Sequence, residues 1–290
     1  MDPSAILVTG GRGALGSALA RKGCNSLSRD ALDITDPASI DAALRMHRPR
    51  LVINAAAYTA VDRAESEQDA AHRINVDGAG FLAEACASSG IPLIHISTDM
   101  VFSTGDPARP FKETDEPTPN SVYGRTKLEG ERAALASGGR VTAARVSWLF
   151  STSHPNFIGK ILTIAQGRQA LDLVDDEIGR PTPLDALADK LISLAGIMAD
   201  GKATPEILHL GPSDPVSRYG WAKLIFAASA DLGGPCPQLA PVPASAFPAP
   251  ATRPRGVVLD VGLADKLLGA MPEWRPASQQ VVADFLQAPR

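Results

Sequence analysis

Short apolar strands alternate with helical segments along most of this chain. The pattern predicts strands at residues 5–9, 26–29, 51–54, 92–97, 141–145, 171–174 and 207–210. It predicts helices at residues 13–22, 38–46, 67–89, 122–136, 156–167 and 183–198. Parallel neighbours need crossover connections, and right-handed crossovers place helices on both faces of a sheet. The alternation therefore predicts an α/β fold built on a doubly wound parallel sheet.

A glycine-rich turn lies directly between the first predicted strand and the first predicted helix. The glycines with the spacing of a cofactor-binding turn are Gly10, Gly13 and Gly16, and Ala14 and Leu15 stand between the last two. Such a turn brings backbone N–H groups and the positive end of a helix against a pyrophosphate. We therefore predict that these five residues bind a dinucleotide cofactor on a Rossmann-like domain.

The end of the second strand bears on which dinucleotide is bound. An acidic residue there would accept the ribose hydroxyls of NADH, but the sequence has Ser28 and Arg29. Arg29 can pair with a 2′-phosphate, so NADPH is favoured and NADH remains an alternative. Asp33 and Ile34 are placed to border the adenine. Two other interpretations stay open: Arg29 as a solvated turn residue, and Asp33 as the cap of the following turn.

Three side chains form a candidate catalytic set. Tyr123 and Lys127 are four residues apart on a predicted helix and therefore share one face. A neighbouring ammonium stabilises phenolate, which lowers the phenol pKa toward the range useful for proton transfer and lets lysine hold the nicotinamide ribose. Thr98 ends the fourth strand, where ligands of open α/β sheets gather. We predict that Thr98 donates a hydrogen bond to the reacting oxygen, with Ser97 as the alternative.

The last third of the chain has a different character. Residues 233–256 carry prolines at positions 235, 237, 241, 243, 248, 250 and 254, which exclude a regular helix or a central strand. We predict a nucleotide-binding domain at 1–155, to which 171–174 and 183–210 return. A smaller C-terminal, substrate-binding lobe would comprise 156–182 and 211–290.

Six segments together resemble the dTDP-4-dehydrorhamnose reductases of the extended short-chain dehydrogenase/reductase superfamily. They are residues 54–62, 97–102, 123–131, 145–148, 179–182 and 253–254, and the spacing of the glycine turn agrees. The resemblance implies reduction of the 4-keto group of dTDP-6-deoxy-L-lyxo-4-hexulose to dTDP-L-rhamnose for the bacterial envelope. It implies that Thr98, Tyr123 and Lys127 are catalytic, and that the cofactor lies over Ala55, Ala56 and Ala57. It places Val61, Asp99, Met100 and Trp148 near the substrate.

Met100 is a departure from the family, which usually has tyrosine at this position. Methionine cannot make the hydrogen bond of a phenol, so the exact sugar stays open. Related dehydratases have glutamate after the aspartate of this turn, whereas here Met100 follows Asp99, and elimination of water is disfavoured. Two alternatives remain. One is a sugar-nucleotide epimerase that retains NAD, and the other is a non-catalytic dinucleotide-binding regulatory subunit.

Composition limits the possible partners. The 28 Lys and Arg residues are scattered and the net charge is −4, which argues against a nucleic-acid partner. No apolar run approaches the roughly 20 residues that span a bilayer. Cys24, Cys86 and Cys236 have no metal-ligand spacing, which favours reduced thiols in the cytoplasm. The acidic residues 175–177 raise the possibility of bound Mg²⁺, although a solvated loop is the favoured interpretation. A homodimer is possible.

Overall fold

A computed structural model describes residues 1–288. The strands are β1 (Ile6–Thr9), β2 (Asn25–Ser26), β3 (Leu51–Asn54), β4 (Leu93–Thr98), β5 (Val141–Val146), β6 (Leu149–Phe150), β7 (Ala170–Val174), β8 (Ile178–Gly179), β9 (Thr182–Pro183), β10 (Ile207–Leu210), β11 (Val216–Ser217) and β12 (Gln238–Val242). The helices are α1 (Ala14–Arg21), α2 (Pro37–His47), α3 (Val61–Ala64), α4 (Gln68–His72), α5 (Gly78–Ser88), α6 (Val122–Leu135), α7 (Phe157–Ile164), α8 (Leu184–Ala199), α9 (Arg218–Asp231), α10 (Gly262–Leu268) and α11 (Trp274–Gln287). A π-helical turn, Arg73–Asp77, joins α4 to α5.

Six parallel strands form the central sheet in the order β10-β5-β4-β3-β1-β2. The chain places β2 on one side of β1 and then returns to place β3 on the other. Ligands of doubly wound sheets bind in the crevice at such a reversal, beyond the carboxyl ends of the strands. The predicted fold class, a doubly wound parallel sheet, is confirmed.

Helices cover both faces of this sheet. Helices α1 and α8 pack together over one face, and α2, α5 and α6 cover the other. Strands β1 and β3 are buried along their whole length, as their continuous aliphatic runs require. Helix α2 begins as the sequence predicts, because the Asp36 side chain accepts a hydrogen bond from Ala38 N at 3.0 Å and Pro37 occupies the first turn.

A smaller lobe with its own aromatic core lies beside the sheet. Its core packs α7, α9 and α11 around Trp221, Trp274 and Phe150. The prediction that residues 171–174 return to the central domain is wrong, because β7 pairs with β12 in a separate two-stranded sheet. In β7 exposed and buried residues alternate, as in a strand with one solvated face, whereas central strands are buried on both faces.

The C-terminal boundary also needs correction. Helix α10 packs against β10 and α8, and Ala264 and Met271 join the core on that face of the central sheet. Residues 211–290 are therefore not all part of the lobe. Strand β10 pairs with β5 in the central sheet, and helix α8 packs on one face of that sheet.

Candidate active site

One cleft of about 790 Å³ opens beyond the carboxyl ends of β1, β3 and β4. Most of the residues singled out from the sequence line it: Gly10, Gly13, Ala14, Leu15, Arg29, Asp33, Ile34, Ala55, Ala56, Ala57, Val61, Thr98, Asp99, Met100, Tyr123, Lys127 and Trp148. Gly16 and Ser28 do not line it. The cleft lies within the volume range of small-molecule sites and is bounded by both the sheet and the lobe.

The glycine-rich turn forms the floor of one end of the cleft. Gly10 has φ of +70°, and a Cβ there would lie 2.9 Å from the Ala55 carbonyl oxygen. A Cβ on Gly16 would overlap the carbonyl oxygen of Gly10. Gly16 therefore acts through close packing of α1 on the turn, which explains why it does not face the cleft. The backbone surface that remains fits a pyrophosphate approaching the start of α1.

Charged side chains border the same end of the cleft. Arg29 Nε lies 3.1 Å from Asp33 Oδ2, and the Arg29 side chain is 62% exposed. Asp33 Oδ1 accepts hydrogen bonds from Thr35 N at 2.9 Å and from Thr35 Oγ1 at 2.8 Å. Asp33 therefore both caps the following turn and lines the cleft. Arg12, which sequence reasoning missed, also lines this end.

Tyr123 and Thr98 meet at the centre of the cleft. Ser121 caps α6 by accepting a hydrogen bond from Gly124 N at 3.1 Å, so Tyr123 lies in the first turn. Tyr123 and Thr98 both line the cleft, and Thr98 Oγ1 donates a hydrogen bond to Asp99 Oδ1 at 3.1 Å. Burial raises the pKa of Tyr123 to about 12, although the nearby Thr98 hydroxyl lowers it and the nearby Asp99 raises it further. This direction is opposite to the one expected from the sequence, because desolvation dominates, and it keeps the phenol protonated.

Lys127 lies one turn further along α6 and is almost wholly buried. Its Nζ donates a hydrogen bond to the Ile96 carbonyl at 2.7 Å and lies 3.3 Å from His95 Nε2. Desolvation lowers the pKa of Lys127 to about 8, while the charge of Glu131 acts in the opposite direction. Among residues 1–288 we find no hydrogen bond between the Lys127 ammonium and the Tyr123 phenol.

A buried polar chain runs beneath the cleft from Lys127 across three strands. His95 Nδ1 lies 3.1 Å from Asn54 Nδ2, and Thr9 Oγ1 donates to Asn54 Oδ1 at 2.7 Å. Thr9 Oγ1 in turn accepts from Ala56 N at 3.0 Å, in the segment expected under the cofactor. Thr9, Asn54 and His95 are register partners on β1, β3 and β4. The sequence predicts a core position for His95, which is 1% exposed, but not these contacts.

The alternative hydroxyl, Ser97, is engaged elsewhere. Its Oγ donates a hydrogen bond to the buried Glu131. Glu131 is also paired with Arg145, whose Nε and Nη2 lie 3.0 and 2.8 Å from the two carboxylate oxygens. This network ties α6 to β4 and β5 and leaves Thr98 as the strand-end hydroxyl available in the cleft with Tyr123.

Trp148 forms part of the lobe-side wall. It has φ of +47°, a left-handed conformation that is unusual for a bulky residue and is typical of functional sites. The Arg218 guanidinium lies over its ring, 3.4 Å from the ring centroid. Asp99, which also lines the cleft, is buried, and desolvation raises its pKa to about 6, opposed by the Thr98 hydrogen bond and the charge of Arg218.

The acidic run at 175–177 has three separate sets of contacts. Asp175 accepts a hydrogen bond from Ser217, and Asp176 accepts one from Ala244 N at 2.7 Å. Glu177 lies 3.5 Å from Arg218 Nε. Within residues 1–288 no group of three or more His, Cys, Asp or Glu side chains is arranged to hold a metal ion. In the same part of the chain no helix has the length and apolar character needed to cross a membrane.

A glycine-rich turn at the sheet reversal, with a Thr–Tyr–Lys set at the end of β4, defines a Rossmann-like oxidoreductase of the short-chain dehydrogenase/reductase type. Comparison with known proteins narrows this class. The family model described as "RmlD substrate binding domain" matches residues 4–287. The chain belongs to the dTDP-4-dehydrorhamnose reductase family.

Individual relatives agree over nearly the full length. A dTDP-4-dehydrorhamnose reductase of Burkholderia thailandensis is 36% identical, with 97% of this chain and 99% of that protein covered. One from Mycobacterium tuberculosis is 38% identical, with 86% and 82% covered. A crystal structure of the Bacillus anthracis enzyme in complex with NADP superposes with a TM-score of 0.85 at 28% identity, covering 96% of this chain and 98% of that one.

Proposed function

We propose that this protein uses NADPH to reduce the 4-keto group of a dTDP-linked 6-deoxyhexulose, with dTDP-L-rhamnose as the product. The observation that carries the proposal is the convergence of Thr98, Tyr123 and Lys127 on one cleft that begins at the glycine-rich turn. Family membership and the names of the relatives support the same substrate class. Use of NADPH is supported by Arg29 at the cleft edge and by the NADP complex of the Bacillus anthracis relative.

The two sides of the cleft suit two different ligands. The central domain offers the glycine turn and the small side chains of Ala55–Ala57, which fit a dinucleotide. The lobe offers Trp148, Arg218 and Arg253, which suit a nucleotide sugar. When bound, the reduced nicotinamide supplies the hydride that adds to the carbonyl carbon of the sugar.

The side chains then handle the proton. Tyr123 donates its phenolic proton to the carbonyl oxygen as the carbon–oxygen π bond breaks, and the phenolate regains a proton from water. Thr98 donates a hydrogen bond to the developing alkoxide. Lys127, with a pKa of about 8, is mostly charged at neutral pH and lies one turn from the phenol, where it stabilises phenolate and holds the ribose. A phenol pKa of about 12 keeps the donor protonated before the reaction.

The proposal is tested by following NADPH absorbance with the enzymatically generated dTDP-4-keto sugar. Tyr123→Phe should lower turnover by a factor on the order of 10² or more, since it removes the general acid. Tyr219→Phe is a matched control on α9, outside the cleft, and should retain turnover. Unchanged turnover in Tyr123→Phe would remove its role. A purified protein that retains oxidised NAD and does not reduce the keto sugar would favour an epimerase.

We also propose a cytoplasmic location for the reaction. Cys24 and Cys86 are buried free thiols, and Cys236 is an exposed one. Unpaired thiols are typical of a reducing compartment. Labelling of Cys236 in intact cells by a membrane-permeant thiol reagent but not by an impermeant one is the expected result. Equal labelling by both reagents would contradict the proposed location.

A further inference from the structure

We propose that Arg218 is a substrate-binding residue that determines sugar specificity, donating hydrogen bonds to the sugar next to Asp99. This inference rests on the proposed function and adds a residue that sequence reasoning did not single out. Arg218 is the first residue of α9, and its backbone N donates to the Glu177 carbonyl at 3.2 Å. Its side chain leaves the lobe and lines the cleft.

Aromatic rings fix the plane of the guanidinium. The carbon Cζ of Arg218 lies 3.4 Å from the centroid of Trp148 and 5.0 Å from that of Phe157. Contacts of this kind hold a planar cation in one orientation and reduce the entropy lost when it binds a ligand. The covered face of the Trp148 indole is unavailable for sugar stacking, so a sugar on that side would contact Arg218 instead.

The guanidinium has donors that the protein does not use. Its Nε lies 3.5 Å from Glu177 Oε2, and we find no protein acceptor hydrogen-bonded to its two terminal nitrogens among residues 1–288. Arginine carries five N–H donors. Desolvation lowers the pKa of Arg218 to about 10, which still leaves the group charged at neutral pH. A largely buried, charged group with free donors in a ligand cleft is well suited to bind oxygen atoms of a substrate.

The position of Arg218 points to the sugar rather than to the cofactor. Asp99 is adjacent to Thr98 and close enough for the charge of Arg218 to lower its pKa. Arg218 and Asp99 line the same cleft, so it holds a donor from the lobe and an acceptor from the sheet together with Thr98 and Tyr123. Vicinal hydroxyl groups, each both donor and acceptor, are complementary to such a pair. Met100, which also lines the cleft, offers no donor, whereas Arg218 offers several.

A second arginine of the cleft is differently engaged. Arg253 forms two hydrogen bonds with Asp62, from Nη1 to Oδ1 and from Nη2 to Oδ2, both at 2.8 Å. Its fork is thus already occupied by a carboxylate. This contrast favours Arg218 as the residue whose donors are open to the sugar.

The test compares binding of dTDP with binding of dTDP-L-rhamnose by calorimetry in the presence of NADP⁺. Arg218→Gln should weaken the binding of dTDP-L-rhamnose by about 10- to 100-fold, which is the loss expected for hydrogen bonds to a charged group. The affinity for dTDP should change by less than about twofold. The KM for the keto sugar should rise in parallel, with the KM for NADPH unchanged. Arg218→Lys keeps the charge but loses the planar guanidinium, so it should weaken the binding of dTDP-L-rhamnose by about 3- to 10-fold.

Arg275→Gln is the matched control. Arg275 also belongs to the lobe, lies 4.6 Å over a tryptophan ring, that of Trp274, and pairs with Asp214, but it is outside the cleft. The Arg275→Gln variant should bind dTDP and dTDP-L-rhamnose with the affinities of the wild type. If Arg218→Gln weakens the binding of dTDP and dTDP-L-rhamnose equally, Arg218 contacts the diphosphate and the inference is overturned. Unchanged binding of both nucleotides would also overturn it. If the glutamine variant fails to fold, the lysine variant decides by the same comparison. Wild-type protein that binds neither nucleotide would instead contradict the proposed function.

Discussion

Replacing Gly124 by alanine should impair catalysis without disrupting the helix that carries Tyr123. A methyl group at this position would lie well under 3.0 Å from the Met100 carbonyl oxygen, and 3.1 Å from Pro119 Cβ. Both obstacles are parts of ordered backbone or ring, so α6 must move by a distance on the order of 1 Å. Displacement of a catalytic group by that amount costs about 10²-fold in rate. In stability, the overlap costs about 1–3 kcal/mol, and the better helix propensity of alanine offsets about 1 kcal/mol of it.

The assay measures kcat with NADPH and the keto sugar, together with urea unfolding. Gly80→Ala is the matched control, because a Cβ there would meet only Ala133 Cβ at an ordinary 3.6 Å. The control should retain kcat and gain up to about 1 kcal/mol in stability. We expect Gly124→Ala to retain far-UV circular dichroism and to lose about 100-fold in kcat. Full kcat in Gly124→Ala would refute the claim that close packing of α6 on the β4 end positions the phenol.

Three further variants test separate parts of the site. Asp99→Asn should raise the free energy of unfolding by roughly 3 kcal/mol at pH 8, because burial raises the carboxyl pKa from 3.8 to about 6 and disfavours the ionised form. The gain should shrink as the pH falls from 6 and vanish below about pH 4, where the carboxyl is protonated in both states; a gain that persists at pH 3 would contradict this. His95→Leu should lower the free energy of unfolding by about 1–3 kcal/mol in urea titrations, because it leaves the buried Asn54 amide unpaired, and an unchanged value would contradict that role. Arg29→Ala should raise the KM for NADPH by about tenfold and leave that for NADH unchanged, while equal effects on both would show that Arg29 does not bind the 2′-phosphate.

The parts of the site that follow local sequence rules are the parts that the sequence predicts. The glycine turn, the end of β4 and the i, i+4 spacing of Tyr123 and Lys127 each depend on a few neighbouring residues. Short, wholly apolar strands likewise predict a parallel sheet covered on both faces. Strand β7 is an exception, because it is predicted to belong to the central domain. Its exposed and buried residues alternate, and this pattern excludes a position in the middle of a parallel sheet.

The rest depends on pairings that no local pattern contains. Thr9, Asn54 and His95 meet only because three strands align in one register. Arg218 reaches Trp148 only through the docking of α9 in the lobe. The pKa of Tyr123 rises because the folded chain removes water from the phenol, an effect that the sequence spacing of Tyr123 and Lys127 cannot reveal.

Transfer of deuterium from NADPH labelled at the nicotinamide C4 would test hydride delivery in this cleft most directly. With one of the two stereospecifically labelled cofactors, the account predicts a dTDP-sugar product heavier by one mass unit, with the deuterium at its own C4. With the other, the label should remain on the oxidised cofactor. A reduced sugar that carries no deuterium from either cofactor would contradict the central claim.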